Sequence, residues 1–271
     1  MDGPLRVVSY GGGVQSSAIV LMSIAGEIER PDVVIFADTG SETPSTYSTV
    51  EYVKSECEKA GLEFCTVYAD FQRDGVEREN RIEGYAPLHE WYQYYGRLPM
   101  VGNPRCTFNF KIYPVRREVK RRIKFSNLDK GPKPHAICSL GITTDESHRA
   151  RDSQIQWMSS VYPLIERDIS RRNCITWLEK NHPSHSFSKS GCFCCMYQPP
   201  SGWKSLKKNH PELFDIALEM ERTARANGVK RGLWGTRSIE AFNHDVTLED
   251  FGFSLHPEDF ECGAVHGGCF L

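Results

Sequence analysis

Residues 6–22 read RVVSYGGGVQSSAIVLM. A short apolar run meets three consecutive glycines, Gly11, Gly12 and Gly13. Beyond them Ala18, Leu21, Met22, Ala25 and Ile28 recur at helical spacing. This predicts a strand over LRVVS (5–9), a helix from Gln15 to about Ile28, and a turn between them that carries no side chains. Such a turn lets the backbone approach a ligand closely and aim its N–H groups at it. The helix amino terminus behind it adds a partial positive charge, so the turn is suited to an anion. The hydroxyls of Ser9, Ser16 and Ser17 stand around it.

The same alternation continues outward. DVVIFAD (32–38) is a second apolar strand ending in Asp38. A helix follows over Pro44 to Ala60, with Ser41-Glu42 as start signals and Gly61 as stop, and EFCTVYA (63–69) is a third strand. Strand, helix, strand, helix, strand predicts an α/β fold: a doubly wound, mostly parallel sheet with helices on both faces. Residues 71–105 are rich in Gly, Pro and aromatics and read as an insertion or lid. Further helices are expected over 114–124, 169–180 and 211–226, and a strand over HAICSLGIT (135–143). The tail ECGAVHGGCFL (261–271) is too rich in Gly and Cys for a regular element. Residues 1–170 are thus expected to form the nucleotide-binding α/β domain. Residues 171–271 would add a helical, Cys-rich region packed on it.

A formal net charge of -2 gives no global attraction to nucleic acid, so any such contact must come from a local patch. No apolar run approaches the roughly 20 residues of a membrane span, and the start MDGPLR has no signal-peptide core. A cytoplasmic location is expected. Ten cysteines are many for a reducing compartment, where clustered thiols read as metal-binding or catalytic. Cys57, Cys65, Cys138 and Cys174 stand singly among apolar or helical neighbours and read as structural. Cys106, Cys192, Cys194, Cys195, Cys262 and Cys269 do not.

Three phosphate-binding readings compete for the glycines. A Walker A loop needs a Gly-Lys-Ser/Thr end, and no lysine stands here. The dinucleotide fingerprint G-x-G-x-x-G is approached by Gly11, Gly13 and Ser16, with Asp38 where a ribose-binding acid would lie. The third is the pyrophosphatase loop Ser-Gly-Gly-x-x-Ser of enzymes that split ATP to AMP and pyrophosphate. Gly11–Ser16 resembles it, with Gly11 in place of the first serine, which leaves open whether Ser9 or Ser17 assists the phosphates.

Four other segments bear on the choice. FADTGSETPSTYSTVEYV (36–53), RCTFNFKIYPVRREV (105–119), LGITTDESHRARDS (140–153) and NCITWLEKNHPSHSFSKSGCFCCMYQPPSGWKSL (173–206) stand in this order along the chain. Together they resemble the phosphoadenosine-phosphosulfate (PAPS) reductase-like family, close to its bacterial and phage members related to DNA phosphorothioation sulfurtransferases. One departure is that Arg105 directly precedes Cys106, where the family motif has a residue between. The resemblance implies an adenine nucleotide α-hydrolase fold. The adenine would lie against the strand end Phe36–Thr39, and the ATP phosphates over Gly11, Gly12, Gly13, Gln15, Ser16 and Ser17. It also implies Asp38 on the ribose or on Mg²⁺, Thr39 in a neighbouring hydrogen bond, and Gly141 in the later loop. Arg149 would fork onto a phosphate, with Glu146 orienting it or helping to hold Mg²⁺.

Cys192 and Cys195 form a C-x-x-C pair whose spacing lets two thiolates face one metal. With Cys106 and Cys262 they make the preferred ligand set, and Cys269 is the substitute. A [4Fe–4S] cluster is preferred over Zn²⁺, with metal-free thiols the remaining reading. A rival use of the tail exists: ECGAVH (261–266) is similar to the Glu-Cys-Gly-Leu-His end of true PAPS reductases, whose cysteine attacks the substrate sulfur. On that reading Cys262 is the nucleophile.

The leading expectation is an ATP pyrophosphatase of this family. It would adenylate an acceptor and support sulfur transfer to nucleic acid, DNA rather than tRNA, with Ser16 and Asp38 in the catalytic site. Its sulfur would come from a cysteine desulfurase or a similar donor, no membrane is involved, and a homodimer is compatible. A PAPS or adenylyl-sulfate reductase and a non-catalytic ATP-binding subunit are the alternatives. The basic run KIYPVRREVKRRIK (111–124) could follow a phosphate backbone, and the aromatics of 85–95 could stack on bases. A solvated helix face is the plainer reading of that run. His244, His256 and His266 point to no ligand set.

Overall fold

The computed structural model describes residues 3–69, 86–100, 105–123, 134–151, 153, 155–235 and 237–243. Cys262, Cys269, His244, His256, His266, Lys124 and most of the 71–105 segment lie outside the described residues. Strands β1 (Leu5–Tyr10), β2 (Val33–Asp38), β3 (Glu63–Tyr68), β4 (Ala136–Ser139) and β5 (Met158–Val161) form one sheet in the order β3-β2-β1-β4-β5. Every pairing in it is parallel. The helices are α1 (Val14–Ile24), α2 (Pro44–Lys59), α3 (Leu88–Tyr94), α4 (Arg105–Thr107), α5 (Tyr113–Arg122), α6 (Pro163–Glu166), α7 (Arg171–Asn181), α8 (Pro200–Asn209) and α9 (Pro211–Ala226). A π-turn, Phe108–Ile112, joins α4 to α5, and 3-10 turns cover Thr144–Arg149 and Ile239–Asn243.

Both faces of the sheet are covered, as a parallel sheet requires. Val8, Tyr10, Val34 and Phe36 face α1, α2 and α7, while Val7, Val33, Ile35 and Ala37 face Val115 and Val119 of α5. This is the period of two that sends successive strand residues to opposite faces. Helix α1 has nine of its eleven residues buried, so it is a central helix without a solvent face. Each of its large aliphatic side chains contributes roughly 1.5–3 kcal/mol by burial. A third core joins α3, α8 and α9 around Trp203, Phe214 and Met220, with Phe110, Phe193 and Cys194 packed in.

The doubly wound α/β architecture expected from the sequence is what forms. Helix α1 ends four residues earlier than its periodicity predicts. The amide of Glu27 turns back to the carbonyl of Met22 at 2.9 Å, closing the helix with a C-terminal turn. Helix α8 and strand β5 carry weak local signals. The sequence PSGWKSLKKN buries only Pro200, Trp203 and Leu206, and MSSV is a four-residue edge strand. In the segment read as an insertion, α3 buries Leu88 and Tyr92 against α9. Of its described aromatics Tyr92 is core, Trp91 packs partly buried against it, Tyr95 is half-buried, and Tyr94 is 59% exposed.

Candidate nucleotide site

The chain leaves β1 for β2 and β3 on one side of the sheet, and later returns to β4 and β5 on the other. The crevice between β1 and β4 is therefore the topological switch point, where open parallel sheets bind ligands beyond their carboxyl strand ends. The glycine turn lies there. Gly12 has φ 71°, and a Cβ on it would stand 2.8 Å from Thr46 Cγ2 and 3.2 Å from Val50 Cγ2 of α2. From the other side comes Gly141, two residues after β4. A Cβ on it would stand 2.9 Å from the amide nitrogen of Ser16. Gly13 caps α1 with no side-chain hydrogen bond, and Ser190 Oγ would lie 2.8 Å from any Cβ on it. The first amides of α1 thus keep the positive end of the helix free of a capping side chain.

The structure separates the hydroxyls. Ser17 is fully buried and its Oγ pairs with the Tyr10 hydroxyl at 3.1 Å, so it serves the core. Ser9 is buried in β1. Ser16 Oγ lies inside the turn, accepting from the Gly11 amide at 3.3 Å and donating to the Gly13 carbonyl at 3.2 Å. Phe36 is buried against Tyr10, so its ring is not presented to a ligand. Asp38, at the end of β2, accepts through Oδ1 from the Gly40 amide and the Tyr47 hydroxyl, both at 2.8 Å. Burial pushes its carboxyl above the usual range. Glu42 adds to this, and the two hydrogen bonds and Lys111 oppose it.

On the β4 side Gln15 is gripped at both ends. Its Nε2 donates to Glu146 at 2.6 Å and its Oε1 accepts from Arg171 at 3.1 Å. Glu146 also pairs with Arg149, and Asp145 accepts from the Arg171 amide at 3.0 Å. Gln15, Glu146 and Arg149, named from sequence, are brought together beside the glycine turn, and Arg171 joins them unforeseen.

Sequence reasoning missed a buried cluster on the β2 side. Glu42, taken as a helix start signal, turns inward instead: α2 begins at Pro44, and the Glu42 side chain is 0% exposed. Its Oε1 accepts from Thr39 at 3.0 Å and from Lys111 at 2.9 Å, with Cys192 Sγ at 3.6 Å, while Oε2 has no partner among the described residues. Glu42 also bridges Cys192 through the backbone. A buried acid paired with a distant lysine leaves no local pattern.

The basic run is largely committed within the chain. Arg121 and Arg122 hold Glu118, Arg122 also holds Glu63, and Arg117 donates to the Tyr68 carbonyl at 2.9 Å. Lys120 lies over the Trp157 ring. The solvated face expected of this helix is thus mostly an ion-paired one.

The chain matches the model of the phosphoadenosine phosphosulfate reductase domain over residues 6–160, more than half its length. The chain belongs to the PAPS reductase-like family. Among solved structures it is similar to phosphoadenylyl-sulfate (PAPS) reductase from Candida auris in a phosphate complex. That likeness has 16% identity and a TM-score of 0.44, covering 69% of this chain and 76% of that one. It is also similar to the U34-tRNA thiolase NcsA from Methanococcus maripaludis with its [4Fe-4S] cluster, at 15% identity and a TM-score of 0.40. There the coverage is 89% of this chain and 80% of that one. No curated protein matches the chain.

The cysteines of this PAPS reductase-like chain divide by position. Cys57, Cys138 and Cys174 are buried, and burial pushes their thiols up to about 12. Cys65 lies half-buried near Glu118. Cys194 is fully buried in the core formed by α3, α8 and α9. Cys106 and Cys192 pack at the edge of the same core, and the Cys195 amide donates to the Cys192 carbonyl at 3.1 Å. Burial, reinforced by Glu42, holds the Cys192 thiol well above its ordinary range. Among the described residues no three His, Cys, Asp or Glu side chains are placed to hold a metal ion together. Cys106, Cys192 and Cys195 therefore make no metal centre by themselves, and Cys262 lies outside the described residues. The donor set for Mg²⁺ is partial too: both carboxylate oxygens of Glu146 are engaged by Gln15 and Arg149. Among the described residues no helix is long and apolar enough to cross a membrane.

The raised Asp38 carboxyl yields a signed prediction. Its folded value lies above its unfolded one, so stability falls as pH rises through the interval between them. At neutral pH Asp38 therefore costs stability in the ligand-free protein. Asp38→Asn, which keeps the oxygen facing Gly40 and Tyr47, raises the melting temperature at neutral pH. The gain closes in acid below the ordinary aspartate range. A melting difference that persists in strong acid would rule out burial of the charge as its cause.

Proposed function

We propose that this chain cleaves ATP between its α- and β-phosphates to adenylate an oxygen of nucleic acid, so that sulfur can replace that oxygen. The observation that carries the reading is the bare glycine turn at the switch point, walled by α2, Gly141 and Ser190 and opening on the uncapped start of α1. Membership of the PAPS reductase-like family supports an adenine nucleotide as its occupant.

The chemistry runs as follows. An acceptor oxygen bonds to the α-phosphorus as the bond to the bridging oxygen breaks, and pyrophosphate leaves with the electron pair. The outer sulfur of a persulfide R–S–SH, carried by a desulfurase-type donor, then attacks the activated acceptor and expels AMP, giving acceptor–S–S–R. A thiol reductant cleaves that S–S bond, leaving the sulfur on the acceptor and the donor sulfur in a disulfide with the reductant. The α1 amides and the turn stabilise charge on the triphosphate, which is electrostatic preorganisation. Asp38 meets the ribose or its metal through the oxygen that Gly40 and Tyr47 leave open. Mg²⁺ bound with the triphosphate would neutralise part of its charge.

The test is product analysis on the full chain. ATP and Mg²⁺, with DNA or tRNA as acceptor, should give pyrophosphate and AMP in equal amounts. Sulfite from PAPS with thioredoxin, and no pyrophosphate from ATP, would replace this reading with the reductase. Nucleotide binding with neither product would leave a binding subunit.

A further inference from the structure

The π-turn Phe108–Ile112 closes with the Tyr113 amide donating to the Phe108 carbonyl, an i→i+5 bond. The extra residue in that turn brings side chains five apart onto the same side, where an α-helix would splay them. Phe108 and Tyr113 consequently face each other, with centroids 6.4 Å apart and planes tilted by 39°. They are 44% and 50% exposed, whereas Phe110 and Ile112, between them in sequence, are buried. Exposed rings of this size need a reason, and π-turns concentrate at functional sites. Lys111, on the same turn, reaches Glu42 at 2.9 Å and so meets the end of β2 beside Thr39. The turn that carries the ring pair thus packs against β2, the strand that ends in Asp38.

Charge decides what kind of partner fits. Residues 105–123 carry seven Lys or Arg against one acid, in a chain whose net charge is -2. Arg121 and Arg122 are spent on Glu118 and Glu63 at the far end of α5. Arg105 is exposed three residues before Phe108, and Arg117, exposed four residues after Tyr113, also donates to the Tyr68 carbonyl. Exposed aromatic faces beside basic side chains suit a single-stranded nucleic acid. A duplex hides its base faces and keeps them at a rise of about 3.4 Å. The wider spacing of the rings suits bases that have come apart.

We infer that Phe108 and Tyr113 form a stacking platform for unpaired bases of the acceptor, holding its backbone beside the nucleotide site. The inference rests on the nucleic acid reading above and adds the strand state and the residues. It is tested by fluorescence anisotropy of the full chain with a labelled oligothymidylate, the RNA of the same length, and a duplex. Single strands should bind more tightly than the duplex. Binding of either single strand supports the platform, and the tighter one names the acceptor. Phe108→Ala with Tyr113→Ala should weaken binding by about 30-fold or more, since stacking on two bases is lost. Replacing both rings by Trp should retain it, and Tyr94→Ala, on an exposed ring elsewhere, should change it by less than about threefold. Preference for the duplex, or an unchanged affinity of the double alanine variant, overturns the platform. Pyrophosphate release from ATP without single-strand binding sinks the platform alone. Binding through the rings without ATP cleavage sinks the proposed reaction alone.

Discussion

On the proposed reaction, Gly141→Val should lower ATP cleavage by at least about 100-fold, the scale of losing a preorganised donor to a developing anion. The argument is steric. A Cβ at position 141 would stand 2.9 Å from the Ser16 nitrogen and 3.2 Å from Gln15 C and Ser16 Cα. These are backbone atoms at the start of α1, so no rotamer change relieves the contact. The amide must move, and with it the turn that Ser16 Oγ ties to Gly11 and Gly13. Gly13→Ala is the matched comparison. Its nearest neighbour is the Ser190 hydroxyl at 2.8 Å, a side chain that can rotate, so the loss should be smaller. Calorimetric titration with a non-hydrolysable ATP analogue, alongside steady-state kinetics, measures both. Near-normal kinetics in Gly141→Val would mean that the start of α1 is not the phosphate cradle.

Glu221→Leu destabilises the fold by about 4 kcal/mol, enough to lower the melting temperature by roughly 10 °C. Glu221 is 1% exposed on α9. Its Oε2 accepts from the amides of Leu233 and Ile239 at 2.7 and 3.1 Å, and its Oε1 accepts from the Ser238 hydroxyl. These three donors fix the chain between 233 and 239 against α9, and Leu233 and Ile239 are themselves fully buried there. Leucine matches the bulk but orphans all three donors. Glu221→Gln keeps one oxygen for the two amides and turns its NH₂ to the hydroxyl, so it should recover most of the loss. Thermal melting of the three proteins decides it. Equal instability of Gln and Leu would assign the role to charge rather than to accepted hydrogen bonds.

The Glu42 cluster illustrates where reading the chain stops. In sequence, Glu42 precedes a helix and looks like one of its start signals, and Lys111 looks like one basic residue among many. Their pairing depends on where the π-turn after α4 is laid against the end of β2. Ser190 and Cys192 reach the same place from far down the chain, Cys192 across 150 positions from Glu42. Ser17 shows the reverse. Its place beside the glycines suggested a role with phosphate, yet the helical phase of α1 turns it to Tyr10 and the core.

The glycine turn and the alternation of strands and helices were open to reading because each leaves a local mark, whereas the grouping of Gln15, Glu146 and Arg149 about one site came from the family resemblance. Apolar spacing sets the element type, and the run Gly11–Gly13 marks a tight turn between strand and helix. The sequence by itself thus determined a parallel α/β sheet with a glycine turn after its first strand. Only the tertiary structure decided what surrounds that turn: Gly141 against Ser16, Ser190 over Gly13, and a buried glutamate joined to Lys111 and Cys192. The physical reason is that periodicity encodes which face of an element is buried. The partner met across that face depends on strand order and on how distant segments dock.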